Sequence, residues 1–372
     1  MAIQLTPVRV QFHGNAVEHR DVLRVPFPYM RGRQAVFSCA REALFYGIRL
    51  FSHIPVRAHV PAYCCKSVLS PFERLGIEVI FYDVSKNFEP VLDKTKFEQG
   101  DIFLLIHYFG LPQDVIFFNK ICKEYGMALA EDCAHTLPDP GAKYPMGSTG
   151  TFSIYSLRKQ LPVPDGGVLI VNDQVMGERL AGHMPPALRN VPFKRWLVTT
   201  LDRFSFAFGW PNVLILKDKL RNFMGSGDSI FNRQLRNDAR PEISAVTARI
   251  LNNTNIKTIA GVRRRNYCFM ADKLSGTQGV TVPFPLLPEG AVPQAFPVLL
   301  ESPEQVCAVL RRKGIGAGLW PDYELPENIK WADFPGALTW VKSLLILPLH
   351  QDLNRGNMES IIRELKKALL KG

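Results

Sequence analysis

Between about Phe37 and Asp173, stretches with apolar residues at helical spacing alternate with short, nearly continuous apolar runs. That alternation predicts an α/β domain around a mostly parallel sheet, whose strands are covered on both faces and so lack a strict polar alternation. The helical pattern opens after Ser38 and runs through Ala43, Leu44, Tyr46, Gly47 and Leu50, and a strand is expected at Val56 to Val60. A helix from Ser67 to Leu75 follows, then strands at Glu78 to Tyr82 and Ile102 to His107, a helix from Asp114 to Tyr125, and strands at Met127 to Ala130 and Val168 to Val171.

The pattern changes beyond Val175. Residues 176–240 are basic, aromatic and punctuated by proline, which predicts a helical insertion with an irregular link near Gly209 to Asn212. One long helix is expected from Ile243 to about Leu274, followed by a strand near Gln294 to Leu300, a helix at Pro303 to Lys313, a strand near Leu344 to Leu347 and a closing helix from Asn357 to Leu370. The chain thus divides into a large domain, 1–245, and a linking helix with a small C-terminal α+β domain, 246–372. No internal repeat or low-complexity tract interrupts it.

Composition narrows the setting. The seven cysteines are odd in number, include the adjacent pair Cys64 and Cys65 and show no CxxC spacing, so neither a disulfide framework nor a zinc site is suggested. The first twenty residues carry no apolar signal core, and the longest apolar stretch, near Phe204 to Leu216, is too short and too broken to span a bilayer. A cytoplasmic location is expected. The formal charge of +11 favours acidic partners, but no nucleic-acid motif accompanies it, and nucleic-acid binding is not expected.

Chemistry concentrates in two stretches. In ALAEDCAHTLPDP a strand runs directly into Glu131 and Asp132, and the carboxyl ends of strands in an open α/β sheet face the ligand crevice. Taken alone, those acids also fit a solvated strand end. In TFSIYSLRKQLPVPDGGVLIVND, Ser156 precedes Lys159 by three residues, and Asp165, Gly166 and Gly167 lead into the next strand. A lone pair of this kind also fits a surface turn.

Together the two stretches resemble the DegT/DnrJ/EryC1/StrS family of sugar aminotransferases, within the fold-type I pyridoxal-phosphate enzymes. The resemblance begins at HVPAYCCKSVLSPFERLGIEVIFYDV, with Asp83 at its end, continues through LLIHYFGLPQDVIFFNKICKEYGMALAEDCAHTLP and GSTGTFSIYSLRKQLPVPDGGVLIVND, and closes at LLILPLHQDL. It implies pyridoxal 5'-phosphate as cofactor, Lys159 as its Schiff-base lysine and Asp132 as the acid beside the pyridine nitrogen, these two being the catalytic residues. It further implies His135 as a ring contact, although a buried structural histidine is the alternative. Ala40 and Arg41 are implied as phosphate binders through backbone N–H at a helix start, and Ser156 as one through its hydroxyl. Ser38 and Cys39 also read as simple helix caps.

The sequence departs from the family in three places. The family spaces its serine five residues before the lysine; Ser156 and Lys159 are three apart, and the other register pairs Ser153 with Arg158, whose guanidinium forms no imine. The position of the ring-stacking aromatic falls on Cys65, with Tyr63 two residues earlier. RNDARPEIS stands where relatives carry NYRMS, leaving Ser244 and Arg240 as the matches.

The implied reaction is transfer of an amino group, from glutamate, onto a nucleotide-linked keto-sugar in polysaccharide or glycoconjugate biosynthesis, by a homodimer. A sugar dehydratase is the second enzymatic reading, although such relatives replace the lysine by histidine. A cofactor-fold protein that binds or regulates without catalysis is the third. In residues 191–223, Lys194, Arg195, Arg203, Lys217, Lys219 and Arg221 are interleaved with aromatics, a pattern that suits either a peripheral membrane contact or ordinary amphipathic packing.

Overall fold

The computed structural model describes residues 3–7, 25–181, 187–189, 242–321, 325–326 and 329–370. Its main sheet has eight strands: β1 (Arg33–Phe37), β2 (Arg57–Pro61), β3 (Glu78–Val84), β4 (Pro90–Val91), β5 (Ile102–Ile106), β6 (Ala128–Cys133), β7 (Phe152–Ser156) and β8 (Gly167–Val171). They lie in the order β1-β8-β7-β6-β5-β2-β3-β4. Strands β7, β6, β5, β2 and β3 run parallel, while β8 is antiparallel to both its neighbours and β4 is antiparallel to β3. The mostly parallel sheet expected from the apolar runs is the one observed. Strand β6 extends three residues further than expected, so Glu131 and Asp132 lie inside it and, by alternation, point to opposite faces.

Helices α1 (Ala40–Arg49), α2 (Ser70–Leu75), α3 (Val115–Glu124), α4 (Leu157–Gln160) and α5 (Gln174–Ala181) connect and flank these strands. Helix α1 packs where Gly47 meets β7 and β8: a Cβ on Gly47 would lie 2.9 Å from the Phe152 ring and 3.0 Å from Leu169. Phe152 and Leu169 are fully buried there, each contributing about 1.5–3 kcal/mol by leaving water. Asp132 pairs in register with Ile154, and Ser156 follows Ile154 by two, so Asp132, Phe152, Ile154 and Ser156 share the face that α1 covers.

Of the expected insertion 176–240, residues 176–181 belong to α5, and β9 (Ala187–Arg189) pairs in parallel with β10 (Glu242–Ser244). The stretch 191–223 and Arg240 lie outside the described residues. Instead of one helix from Ile243 to Leu274 there are two, α6 (Ala245–Asn252) and α7 (Ile256–Leu274). The run Asn252-Asn253-Thr254-Asn255 explains the break: the Thr254 hydroxyl bonds back to the Ile250 carbonyl at 2.7 Å, and Asn255 caps α7 by accepting from Thr258 N at 3.0 Å.

A second apolar cluster gathers Tyr267 and Met270 of α7, the antiparallel pair β11 (Ala295–Leu299) and β12 (Leu344–Pro348), and apolar faces of α8 (Pro303–Arg312) and α10 (Arg355–Leu369). Ile3, from the start of the chain, packs into it, with its N–H on the Gly314 carbonyl at 2.7 Å. Helix α9 (Pro335–Ser343) joins the large sheet instead, where Asp83 accepts from Gly336 N at 2.9 Å and Ala337 N at 2.7 Å. Asp83, read as part of a motif, therefore caps a helix start.

Candidate active site

Lys159 sits on the short helix α4, directly after β7, and its amine meets Asp132, Cys65 and His135 electrostatically. Burial pushes the amine below the ordinary lysine value; the charges of Asp132 and Cys65 work against that shift and the neighbouring Arg158 adds to it. Asp132 shows the mirror image. Burial raises its carboxyl above the usual range, while Lys159, the Ala134 N–H and His107 pull it back. Its Oδ1 accepts from Ala134 N at 2.8 Å, leaving Oδ2 without a hydrogen-bond donor among the described residues. A buried carboxylate oxygen in that condition favours a cationic N–H partner.

The adjacent Glu131 does different work. On the opposite face, its Oε1 accepts from Thr149 N at 3.0 Å and Gly150 N at 2.6 Å, and its Oε2 from Gly147 N at 2.9 Å. His107 completes the set through Nε2 at 2.9 Å, while its Nδ1 accepts from Gln113 N at 3.1 Å, which fixes the proton on Nε2. His107, Glu131 and Cys133 lie close enough to surround a metal ion, but both His107 nitrogens and both Glu131 oxygens are already committed to these bonds. Ser153 also belongs to this face, donating to the Gly147 carbonyl at 2.8 Å. The register that pairs Ser153 with Arg158 thus puts its serine on the far side of the sheet from Asp132.

His135 is fully enclosed. Its Nδ1 accepts from Phe109 N at 3.2 Å, and its ring stacks on Phe109 with centroids 5.5 Å apart. Burial and the charge of Lys159 hold the imidazole well below its ordinary value, so it is neutral, with its proton on Nε2. That nitrogen remains a donor. Cys65 contacts the Ser67 hydroxyl at 3.1 Å, whereas Tyr63, the other candidate for ring stacking, is fully buried and donates to the Trp320 carbonyl at 2.6 Å.

At the other end of the site, Ser156, Gly167 and Phe37 pair side by side across β7, β8 and β1. A Cβ on Gly167 would come within 2.3 Å of the Cys39 carbonyl and 2.6 Å of Ala40 N, so only glycine lets β8 approach the start of α1 this closely. Ala43 N donates to the Cys39 carbonyl at 3.2 Å, so the N–H groups of Ala40, Arg41 and Glu42 form the first turn, ahead of the intrahelical ladder. Cys39 is the N-cap and makes no side-chain cap bond, and the Ser38 N–H and hydroxyl both bind the Glu42 carboxylate. The Ser156 hydroxyl makes no hydrogen bond among the described residues. An anion is the natural occupant of such a corner.

Sequence reasoning missed Trp320. Its indole stands edge-on to Tyr63, Tyr108, Phe109 and His135, at centroid distances of 4.9, 5.6, 5.5 and 5.1 Å. Trp320 is more than 180 residues from His135 along the chain, and the local text GIGAGLWP carries no spacing that announces the contact.

Residues 60–200 match the model of the DegT/DnrJ/EryC1/StrS aminotransferase family. Over that segment the chain is similar to that family. It is 24% identical over 307 residues to a dTDP-4-dehydro-2,3,6-trideoxy-D-glucose 4-aminotransferase of Saccharopolyspora spinosa, covering 79% of this chain and 73% of that protein. In fold it is similar to the Helicobacter pylori aminotransferase PseC, involved in pseudaminic acid biosynthesis, with a TM-score of 0.68, 16% identity and coverage of 93% and 90% of the two chains. It is likewise similar to Spr1654 of Streptococcus pneumoniae in a PLP form, at a TM-score of 0.67, 14% identity and coverage of 93% and 89%. The fold is that of the fold-type I transferases. Asp132, His135, Ser156 and Lys159 all fall inside the matched segment; Ala40 and Arg41 precede it, and Trp320 and α7 lie beyond it.

Proposed function

We propose that this protein is a pyridoxal-phosphate aminotransferase that moves an amino group from glutamate to a nucleotide-linked keto-sugar in polysaccharide or glycoconjugate biosynthesis. One observation carries the reading: a buried lysine amine is set between a carboxylate with an open oxygen and a neutral imidazole, on the same sheet face as an anion corner. The residues fit the cofactor. Lys159 supplies the primary amine, Asp132 Oδ2 the acceptor for a protonated pyridine nitrogen, His135 Nε2 a donor, and the start of α1 with Ser156 the phosphate site. Cys65, which interacts electrostatically with the Lys159 amine, would be a further cofactor contact.

Bound there, pyridoxal phosphate supplies an electron sink next to the lysine. The protein's part is positioning and proton transfer. Asp132 holds a positive charge at the ring nitrogen, since a buried anion favours a cation beside it. The Lys159 amine would hold the cofactor and, when free, would serve as the base that moves a proton between the substrate carbon and the cofactor. Its depressed proton affinity keeps a larger neutral fraction at neutral pH than an exposed lysine has, as a base requires. Phe109 and Trp320 wall the site with rings and keep water from it.

The dehydratase reading is weaker because the lysine is present. The glutamate donor and nucleotide-sugar acceptor follow from the resemblance and from the relative of Saccharopolyspora spinosa, and a cytoplasmic homodimer belongs to the same proposal. Among the described residues no helix is long and apolar enough to cross a membrane. The test is to add pyridoxal phosphate to the purified protein and follow visible absorbance and keto-sugar amination, with Lys159→Ala as control. A lysine-bound cofactor band in the wild type that disappears in the variant is expected; the same band in both overturns the assignment.

A further inference from the structure

Arg263, in the middle of α7, is fully buried, yet every acceptor it bonds is neutral. Its Nη2 donates to the Gln160 carbonyl at 3.1 Å, one residue after Lys159. Its Nη1 donates to the carbonyls of Pro293 at 2.8 Å and Gln294 at 3.2 Å, and its Nε to Gln351 Oε1 at 3.0 Å. Gln351 closes the ring by donating from Nε2 to the same Gln160 carbonyl at 3.1 Å. One carbonyl beside Lys159 thus takes two bonds, one from α7 and one from Gln351 of the LPLHQDL segment, just beyond the end of β12.

The network reaches the other side of the site as well. Gln294 N donates to the Phe109 carbonyl at 2.8 Å, and Phe109 N donates to His135 Nδ1 at 3.2 Å. Val292 is fixed in the same way, its N–H on the Gly110 carbonyl at 3.2 Å. One hydrogen bond joins the guanidinium to Lys159's turn, and three in succession join it to the His135 ring. Burying a guanidinium without a contacting carboxylate is costly, and burial lowers its affinity for the proton to about 9 even though the charge of Asp352 opposes the shift. A neutral side chain would fill a purely structural position at smaller cost.

We propose that Arg263 is the positioning residue of the Lys159 turn, a planar fork that fixes the Gln160 carbonyl against Gln351 and the 293–294 backbone so that the lysine amine and His135 keep their mutual placement. The claim rests on the reading of Lys159 as the cofactor lysine. A guanidinium suits the task where an ammonium does not, because its donors lie in a fixed plane and meet acceptors on three separate segments at once. The motif LPLHQDL acquires a role by the same geometry: Gln351 is the part of it that touches Lys159's turn.

The test reads Lys159 itself. In the protein without cofactor, the pH dependence of Lys159 labelling by an amine-selective reagent is followed by mass spectrometry, for the wild type, Arg263→Gln, Arg263→Lys and Gln351→Ala. The groups facing the amine, Asp132, Cys65, Arg158 and His135, are unchanged in all of them. The labelling midpoint is expected to lie below that of an ordinary lysine in the wild type and to rise toward it in all three variants, with no rescue by Arg263→Lys. In parallel, the pyridoxal phosphate concentration that half-saturates the visible band is expected to rise at least tenfold. A lower thermal transition with an unchanged Lys159 midpoint would show a merely structural arginine and overturn the proposal. So would a wild-type midpoint in Arg263→Lys, which would assign the effect to charge. If the Arg263 variants do not fold, Gln351→Ala decides by the same midpoint. If the wild type binds no pyridoxal phosphate, the proposed function falls, while the labelling midpoints still test the positioning.

Discussion

Asp132 and Lys159 act as counter-charges in a buried site: the carboxylate opposes the burial that depresses the lysine, and the lysine opposes the burial that raises the carboxyl. Replacing Asp132 by Asn keeps the shape and removes the anion. The Lys159 amine should then lose protons at still lower pH, read by the same labelling of the cofactor-free protein. With cofactor present, the protonated ring loses its partner, and amination should fall by about 10²–10³-fold, the range for loss of one preorganised electrostatic contact. An Asp132→Asn variant with wild-type turnover would move the role to another acid.

The anion corner makes a separate prediction, because its parts touch neither Asp132 nor His135. Ser156→Ala should weaken pyridoxal phosphate binding by about 1.5–3 kcal/mol, as loss of a hydrogen bond to a charged group does, and leave the lysine-bound band unshifted in position. Gly167→Ala drives a Cβ into the backbone of Cys39 and Ala40, so it should cost about 1–3 kcal/mol in stability as well as affinity. Equilibrium dialysis and urea unfolding separate the two effects. Unchanged affinity in both variants would place the phosphate elsewhere.

How much of this was legible depends on whether the deciding interaction is local. The apolar runs gave β2, β3, β5 and β8 within one or two residues at most ends because burial on both faces leaves an uninterrupted hydrophobic signature. The break between α6 and α7 was missed because Thr254 and Asn255 act by capping, which a search for apolar period passes over. Glu131 and Asp132 looked alike in sequence, and only the length of β6 separates them onto opposite faces. Arg263 and Trp320 were invisible, since each gains its meaning from partners about 30 to 260 residues away in the chain.

His135 predicts a pH dependence of stability. Its folded proton affinity lies well below the ordinary histidine value of 6.5, so between those two values the unfolded chain binds a proton that the folded protein does not. Stability must therefore be undiminished by this residue above about pH 6.5 and decline as the pH falls below it. In His135→Asn that part of the slope should vanish, with a loss of roughly 1–3 kcal/mol at neutral pH if the Phe109 N–H is left without its acceptor. Thermal melts at a series of pH values provide the comparison. An acid limb of equal steepness in both proteins would exclude His135 as its source.

Glu131→Gln makes the sharpest contrast, because Glu131 and Asp132 are chain neighbours with opposite duties. Burial pushes the Glu131 carboxyl up, but His107 and the N–H groups of Gly150 and Thr149 together outweigh it and hold the group below its ordinary value. A lowered carboxylate contributes stability that is complete above its unfolded value of 4.5 and is lost as the pH falls through the lower folded value. An amide has one acceptor oxygen, so Gln would turn an NH2 toward either the Gly147 N–H and His107 or the amides of Thr149 and Gly150. Two buried donors left unsatisfied should cost roughly 2–6 kcal/mol at neutral pH. The acid-dependent loss seen in the wild type should be smaller in the variant. Since these bonds lie on the face away from Lys159, folded Glu131→Gln should keep the lysine-bound cofactor band, whereas Asp132→Asn should keep stability and alter the band. Urea unfolding at two pH values with a spectrum of each folded variant decides it: a Glu131→Gln protein of wild-type stability and altered spectrum would reverse the two assignments.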